Sequence, residues 1–160
     1  QWGEVKHARP LARKILAARR AGELVVTTDL ADLVERSIGY GAGSGRKTKI
    51  HPATLVFQAL RIAVNRELET LEQAVQDAPE VLRPGGRAVF IAFHSLEDRV
   101  VKQGFRELAS DPTPAGVPIT ADQTSQRIDI LTSRPVTAKP DEIEANPRAR
   151  SAKLRAMELL

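Results

Sequence analysis

The residues best suited to chemistry stand directly after an apolar run, in the segment Phe93-His94-Ser95-Leu96-Glu97-Asp98. The run at residues 87–93 predicts a strand buried on both faces, as in a parallel sheet. Ligands of open α/β sheets bind beyond the carboxyl ends of the strands, so His94 and Ser95 are site candidates. At the carboxyl end of this strand we expect His94 to accept or relay a proton, or to form a hydrogen bond with a ligand. The alternative is structural: Ser95 caps the next helix and His94 is a satisfied structural group.

A second candidate is a basic stretch near the end of the chain. Residues 148–155 contain four cations and no acid. Such a stretch suits a phosphate-binding face, because counterion release grows with the number of phosphates neutralised. A solvated charged surface is the alternative. The whole chain is only modestly basic, with 24 Lys and Arg against 20 Asp and Glu.

Apolar periodicity predicts the helices that position these residues. Gly22 is expected to end the first helix, and Thr27, Thr28 and Asp29 to begin the second. A glycine-rich stretch at residues 39–45 is interpreted as a flexible linker. The predicted helices span residues 10–20, 27–38, 52–78 and 95–109.

The remaining elements are expected to complete a sheet. A tight turn at residues 84–86 precedes the first strand, and residues 110–124 read as a polar surface loop. A second strand is predicted within residues 127–136, followed by a helical turn at residues 140–145. Residues 151–156 alternate as a half-buried strand does, with a terminal helix as the alternative. The two late strands would pair antiparallel, at the edge of a mostly parallel sheet.

Composition excludes several classes of site. The chain has no cysteine, which excludes disulfide frameworks, thiolate zinc sites and cysteine nucleophiles. His7, His51 and His94 lack the helical spacing of metal ligands, so no metal is expected. No apolar run approaches the roughly 20 residues that cross a bilayer, and no signal peptide is evident. We therefore expect a cytoplasmic protein with no membrane partner, and a start at Gln1 suggests a processed chain or a fragment.

Three ordered motifs carry a resemblance to a known family. The first is His51-Pro52-Ala53-Thr54 with the following Phe57-Gln58-Ala59-Leu60-Arg61-Ile62 and Val64-Asn65. The second is Gly85-Gly86-Arg87 leading into Phe93-His94-Ser95-Leu96-Glu97-Asp98-Arg99. The third is Asn146-Pro147-Arg148-Ala149-Arg150-Ser151-Ala152-Lys153-Leu154-Arg155. Together they resemble the ribosomal RNA small-subunit methyltransferase H family, also called MraW, and the chain is similar to its carboxyl-terminal portion.

The resemblance implies an activity and a fold. The activity is methyl transfer from S-adenosylmethionine to the exocyclic N4 amine of a cytidine in small-subunit (16S) ribosomal RNA. The fold is α/β: an incomplete class I, Rossmann-like methyltransferase sheet with an antiparallel edge and part of a helical insertion. In that family the cofactor motifs come earlier than this chain begins, so no cofactor-binding residue is assigned. The expected domains are residues 1–45, the end of the insertion with its linker, and residues 46–160, the carboxyl-terminal part of the methyltransferase domain.

For this activity, the types and positions of the candidate residues suggest their roles. His94 would take or relay the proton lost from the cytosine amine, or hydrogen-bond the base or a phosphate. Arg99 would support the RNA backbone near Ser95, with an ion pair to Glu97 or Asp98 as the alternative. The proposed RNA surface, where arginine can fork to phosphate and stack on bases, consists of Asn146, Arg148, Arg150, Ser151, Lys153 and Arg155.

Two other functional classes stay open from the sequence. One is a noncatalytic RNA-binding fragment, and the other is a small helical adaptor whose cations are ordinary surface. Strand alternation would place Ser151, Lys153 and Arg155 on one face, so only part of the cations would meet RNA. Salt-dependent RNA binding distinguishes the RNA-binding fragment from the adaptor, and cofactor binding distinguishes the enzyme from the fragment.

Overall fold

The computed structural model describes residue 5 and residues 8–38, 51–110 and 126–160. The chain divides into two compact units, residues 1–67 and residues 68–160. The predicted linker at residues 39–45, the domain boundary predicted after it and nearly all of the predicted loop at residues 110–124 lie outside the described residues. Within the described part, no helix combines the length and the apolar character that crossing a bilayer requires.

The first unit is helical, as its apolar periodicity predicts. Its helices are α1 (Ala8–Arg20), α2 (Thr27–Ile38) and α3 (Pro52–Asn65). Gly22 follows α1 with a φ of 75°, a left-handed conformation that favours glycine, so its predicted role in ending the helix is confirmed. The helices pack around one small apolar cluster of buried residues, namely Leu11, Val34, Ala53 and Val56.

A histidine joins the last two helices of this unit. His51 is the N-cap of α3, where its Nδ1 accepts a hydrogen bond from the backbone N–H of Ala53 at 3.2 Å. Its Nε2 lies 2.7 Å from Oε1 of Glu35 on α2. With Nδ1 acting as acceptor, the neutral ring carries its hydrogen on Nε2 and donates it to Glu35. The first residue of the first motif therefore both begins a helix and ties it to its neighbour.

The prediction of one long helix over residues 52–78 is wrong, because the helix is interrupted at Arg66. That residue has a φ of 53° and ends α3, and a new helix, α4 (Glu67–Val81), begins directly after it. The guanidinium of Arg61 donates to both carboxylate oxygens of Glu67, and Asn65 Nδ2 donates to Glu67 Oε1 at 3.0 Å. These polar contacts stabilise a helix break that the continuous apolar stripe does not reveal.

The second unit combines helices with an antiparallel sheet. After α4 come β1 (Arg87–Ala92), α5 (Ser95–Ala109), β2 (Ile128–Ile130), β3 (Val136–Thr137), α6 (Pro140–Ala145), a 3-10 helix (Pro147–Ser151) and β4 (Lys153–Leu159). The strand order is β1-β4-β2, and β3 pairs with the beginning of β4. The antiparallel pairing predicted for the late strands is confirmed, and the alternative of a terminal helix is wrong.

The first strand differs from its prediction. Burial alternates along β1: Ala92 is buried, whereas Val89 and Ile91 are 57% and 56% exposed. The prediction that this strand is buried on both faces is therefore wrong for this chain. Among the described residues, helices cover only one face of β1. Every strand pair that the described residues form is antiparallel. Parallel neighbours for β1 stay a prediction.

One apolar core holds α5 between the sheet and α4. Phe105 on α5 meets Phe90 on β1 edge to face, with ring centroids 5.7 Å apart. A Cβ at Gly104 would lie 2.6 Å from Val75 Cγ1, so glycine is what allows α5 to approach α4 so closely. The buried members of the core are Val75, Ala78, Val101, Phe105, Leu108, Ile128 and Met157.

Candidate functional site

The pairing of β1 with β4 brings the second and third motifs together. In this register Ala92, the last residue of β1, lies opposite Lys153, the first residue of β4. Phe93 and His94 continue beyond the strand at the same end of the sheet at which the 3-10 helix leads into β4. We call this end, formed by residues 92–99 and 146–155, the candidate site. The antiparallel register is therefore what brings the second and third motifs to the same end of the sheet.

The 3-10 helix presents two arginines to solvent. Asn146 is its N-cap, with Oδ1 accepting from the backbone N–H of Arg148 at 3.2 Å. Ala149 is buried at 7% exposure and anchors the turn, while Arg148 and Arg150 on either side of it are exposed. Neither arginine forms an ion pair with another described residue. Both guanidinium groups are therefore available to an anionic partner.

The last two cations of the third motif are instead bound within the fold. Arg155 is only 5% exposed, and its Nε donates to Oδ1 of Asp98 at 2.7 Å. Lys153 Nζ lies 3.4 Å from Oδ2 of the same carboxylate. Asp98 is in the first turns of α5, so this cluster fastens the helix that follows β1 to β4. Burial alone would raise the pKa of Asp98, but the hydrogen bond and charge of Arg155 and the charge of Lys153 outweigh it and hold the pKa below its ordinary value.

His94, not Ser95, is the N-cap of α5. The ring Nδ1 of His94 accepts from the backbone N–H of Glu97 at 3.3 Å. In return, Glu97 Oε2 accepts from the backbone N–H groups of Phe93 and His94, at 2.8 and 3.3 Å. This reciprocal arrangement is a capping box, and it corrects the prediction that Ser95 caps the helix. Ser95 occupies the first helical position and is exposed.

The capping bond limits the chemistry of the His94 ring. With Nδ1 accepting, the neutral imidazole carries its hydrogen on Nε2, which is then a donor and cannot take up a proton. Nε2 is buried and lies 3.3 Å from Glu97 Oε1, but not in the alignment of a hydrogen bond. The arrangement therefore suits His94 to positioning and hydrogen-bond donation, and a general-base role would require the ring to leave the cap.

The other candidates are placed as follows. Arg99 is exposed on α5, two residues beyond Glu97, and Ser151 is exposed at the end of the 3-10 helix. The carboxylate of Glu97 takes part in the capping box, and that of Asp98 pairs with Arg155. The predicted alternative for Arg99, an ion pair to one of these acids, stays a prediction. Sequence reasoning missed Asp98 as the group that fixes the site, and an acid on a helix beside a basic strand was the only signal for it.

Comparison with known proteins finds one family model and several curated relatives that match the chain. The model of the MraW methylase family matches residues 1–160. The ribosomal RNA small subunit methyltransferase H of Thermomicrobium roseum is 52% identical over 159 residues, which cover 99% of this chain and 47% of the relative. The protein of the same description from Geobacter sulfurreducens is 50% identical over 161 residues, covering 100% of this chain and 51% of the relative. The chain thus spans about half the length of the curated relatives it matches.

Proposed function

Since the chain belongs to the MraW methylase family, we propose that it serves an enzyme that transfers a methyl group from S-adenosylmethionine to N4 of a cytidine in 16S ribosomal RNA. The observation that carries this proposal is the family match over residues 1–160, with relatives described as small-subunit ribosomal RNA methyltransferases. The enzyme acts on small-subunit RNA in the cytoplasm, and residues 148–150 supply part of its RNA-binding surface.

We further propose that the sheet of residues 68–160 belongs to a class I methyltransferase fold. The arrangement in its favour is β1, the helix α5 directly after it, and an antiparallel β4 beside β1. Val89 and Ile91 form an exposed apolar face on β1. A sheet with helices on both faces would cover these residues, so their exposure is expected if the second covering layer is not part of residues 68–160.

The described residues do not by themselves fit the cofactor. A class I site needs an acid free to bind the ribose hydroxyls, and at the candidate site Glu97 and Asp98 are both engaged within the chain. The glycine-rich residues 39–45 lie outside the described part. We therefore assign no residue of this chain to S-adenosylmethionine and derive no catalytic step through it.

Within the RNA-binding role, the cations divide by burial. Arg148 and Arg150 contact phosphate or stack on a splayed base, because both are exposed and neither forms an ion pair with another described residue. Asn146 shapes the turn that presents them, and Ser95, Arg99 and Ser151 border the same surface. Lys153 is about one-third exposed and contributes charge, whereas Arg155 acts by holding Asp98.

His94 is a positioning residue in this proposal. Replacing His94 by alanine removes the capping bond to Glu97 and is expected to lower the free energy of unfolding by about 1 kcal/mol. Asparagine caps helices well, so His94→Asn should restore most of that stability. Thermal melts of the two variants beside the unaltered chain measure both effects.

Methylation by the same pair separates positioning from proton transfer. If His94 only positions the site, methylation should recover in His94→Asn together with stability. Recovery of stability without recovery of methylation would assign the imidazole a direct role at the substrate.

The function itself is tested with a full-length protein that carries this chain. Labelled S-adenosylmethionine and 16S ribosomal RNA are the substrates, and the position of the methyl group is read by digestion to nucleosides. Label on N4-methylcytidine is the expected result, and label on another nucleoside would overturn the assignment. RNA binding without any methyl transfer would favour the noncatalytic RNA-binding alternative.

A further inference from the structure

The positive charge of the chain is concentrated in α1. This helix carries five cations and no acid: Arg9, Arg13, Lys14, Arg19 and Arg20. The whole chain has 24 cations and 20 acids, so removing those five leaves 19 cations against the 20 acids. The net charge of +4 therefore resides in one helix of thirteen residues, outside the candidate site.

Three of these cations form a stripe on the solvent side of α1. Arg9 and Arg13 are each two positions from the buried Leu11, and Arg20 is two positions from the buried Ala18. Two positions correspond to about 200° round the helix, so the three arginines lie opposite the buried face. The three arginines are exposed, and at about 1.5 Å of rise per residue they span roughly 16 Å along the axis. We call Arg9, Arg13 and Arg20 the α1 stripe.

The cations of α1 have no counter-charge, unlike several cations elsewhere. Among the described residues, Arg87 pairs with Glu158 and Arg127 with Glu80, whereas no cation of α1 forms an ion pair. Exposed basic residues that form no ion pair raise the local positive potential. The surface therefore suits a polyanion.

The burial of α1 distinguishes RNA from a membrane. A helix that binds a bilayer inserts its apolar face, but Leu11 and Ala18 on that face are already buried within the first unit. Beside the arginines of the stripe, α1 exposes one large apolar residue, Leu16, at 50%. A single leucine does not form the apolar face that insertion into a bilayer requires. Resting on the proposed function, we infer that the α1 stripe binds the phosphate backbone of the ribosomal RNA substrate as a second contact, separate from Arg148 and Arg150.

The test compares two triple variants of the chain that remove the same amount of charge. One carries Arg9→Gln, Arg13→Gln and Arg20→Gln. The matched control carries Arg83→Gln, Arg106→Gln and Arg134→Gln, three exposed arginines of the second unit that form no ion pair with other described residues. Affinity for a 16S ribosomal RNA fragment that contains the methylated cytidine is measured from about 50 to 300 mM salt, where binding through phosphates depends steeply on salt. Circular dichroism verifies that both variants keep their helices.

The α1 variant should bind at least about tenfold more weakly at low salt. Its plot of log affinity against log salt should be less steep by about two, because each phosphate that is no longer neutralised reduces the magnitude of the slope by roughly 0.7. The control should change the slope by less than half as much.

Equal behaviour of the two variants, while the unaltered chain still binds, would overturn this inference alone. Absence of any salt-dependent RNA binding by a full-length protein that carries the unaltered chain would overturn the proposed function with it. Loss of binding to phosphatidylserine vesicles without loss of RNA binding would assign the stripe to a membrane instead.

Discussion

Replacing Asp98 by alanine is expected to lower the free energy of unfolding of the second unit by about 3–5 kcal/mol. The carboxylate is the only described partner of the buried guanidinium of Arg155, and removing it leaves that charge uncompensated at 5% exposure. In a unit of this size, at about 4–8 °C per kcal/mol, the loss corresponds to a fall in melting temperature of about 12–40 °C. Thermal and urea unfolding of the two proteins at pH 7 measure the difference.

The same carboxylate makes stability depend on pH. Its pKa is held below the ordinary value of 3.8 in the folded chain, so the unfolded chain takes up this proton first as pH falls. The stability that Asp98 contributes is therefore complete above its ordinary pKa and is lost as pH falls through the lower, folded value. The difference between the unaltered chain and Asp98→Ala should be constant near neutrality and shrink in that acidic range.

A double variant separates the ion pair from simple packing. Asp98→Leu combined with Arg155→Met replaces both buried charges by apolar groups and should recover most of the stability lost in Asp98→Ala. Lys153 tolerates the change because its side chain is 36% exposed and can be hydrated. A loss below about 1 kcal/mol in Asp98→Ala would match a surface ion pair and contradict the role proposed for this cluster.

Local signals in the sequence predicted most elements of the fold. Periodicity and turn residues located α1, α2, α5 and α6, because each of these helices has an apolar face or a recognisable start or end. The break at Arg66 was missed because the apolar stripe runs through it. The break there is stabilised by hydrogen bonds to Glu67, which periodicity does not encode.

The candidate site was predicted in its location more than in its chemistry. The motifs identified His94 and Arg148 as candidates, and the register of β1 with β4 brings their segments to one end of the sheet. The division of the cations could not be predicted, because a run of basic residues does not reveal that Arg155 points to Asp98, 57 positions earlier. The cap was assigned to Ser95 because serine is a common capping residue, whereas the structure uses the histidine before it.

That division leads to the prediction with the largest expected effect on activity. Arg148→Ala combined with Arg150→Ala, in a full-length protein that carries this chain, should lower kcat/KM for methylation of 16S ribosomal RNA by about a hundredfold. The reason is that each arginine supplies a charge-assisted hydrogen bond to RNA, worth roughly 1.5 kcal/mol of binding free energy. The effect should appear mainly as a higher KM for RNA, since the role proposed for both residues is to bind the substrate.

Stability supplies the control, because the two arginines are exposed and form no ion pair with another described residue. The melting temperature of the double variant should therefore match that of the unaltered protein, in contrast to Asp98→Ala. Arg83→Ala with Arg106→Ala removes the same charge from the loop before β1 and from the last turn of α5, and should leave KM nearly unchanged. Methylation unaffected by loss of Arg148 and Arg150 would remove the 3-10 helix from the RNA-binding surface and leave the α1 stripe as its remaining candidate.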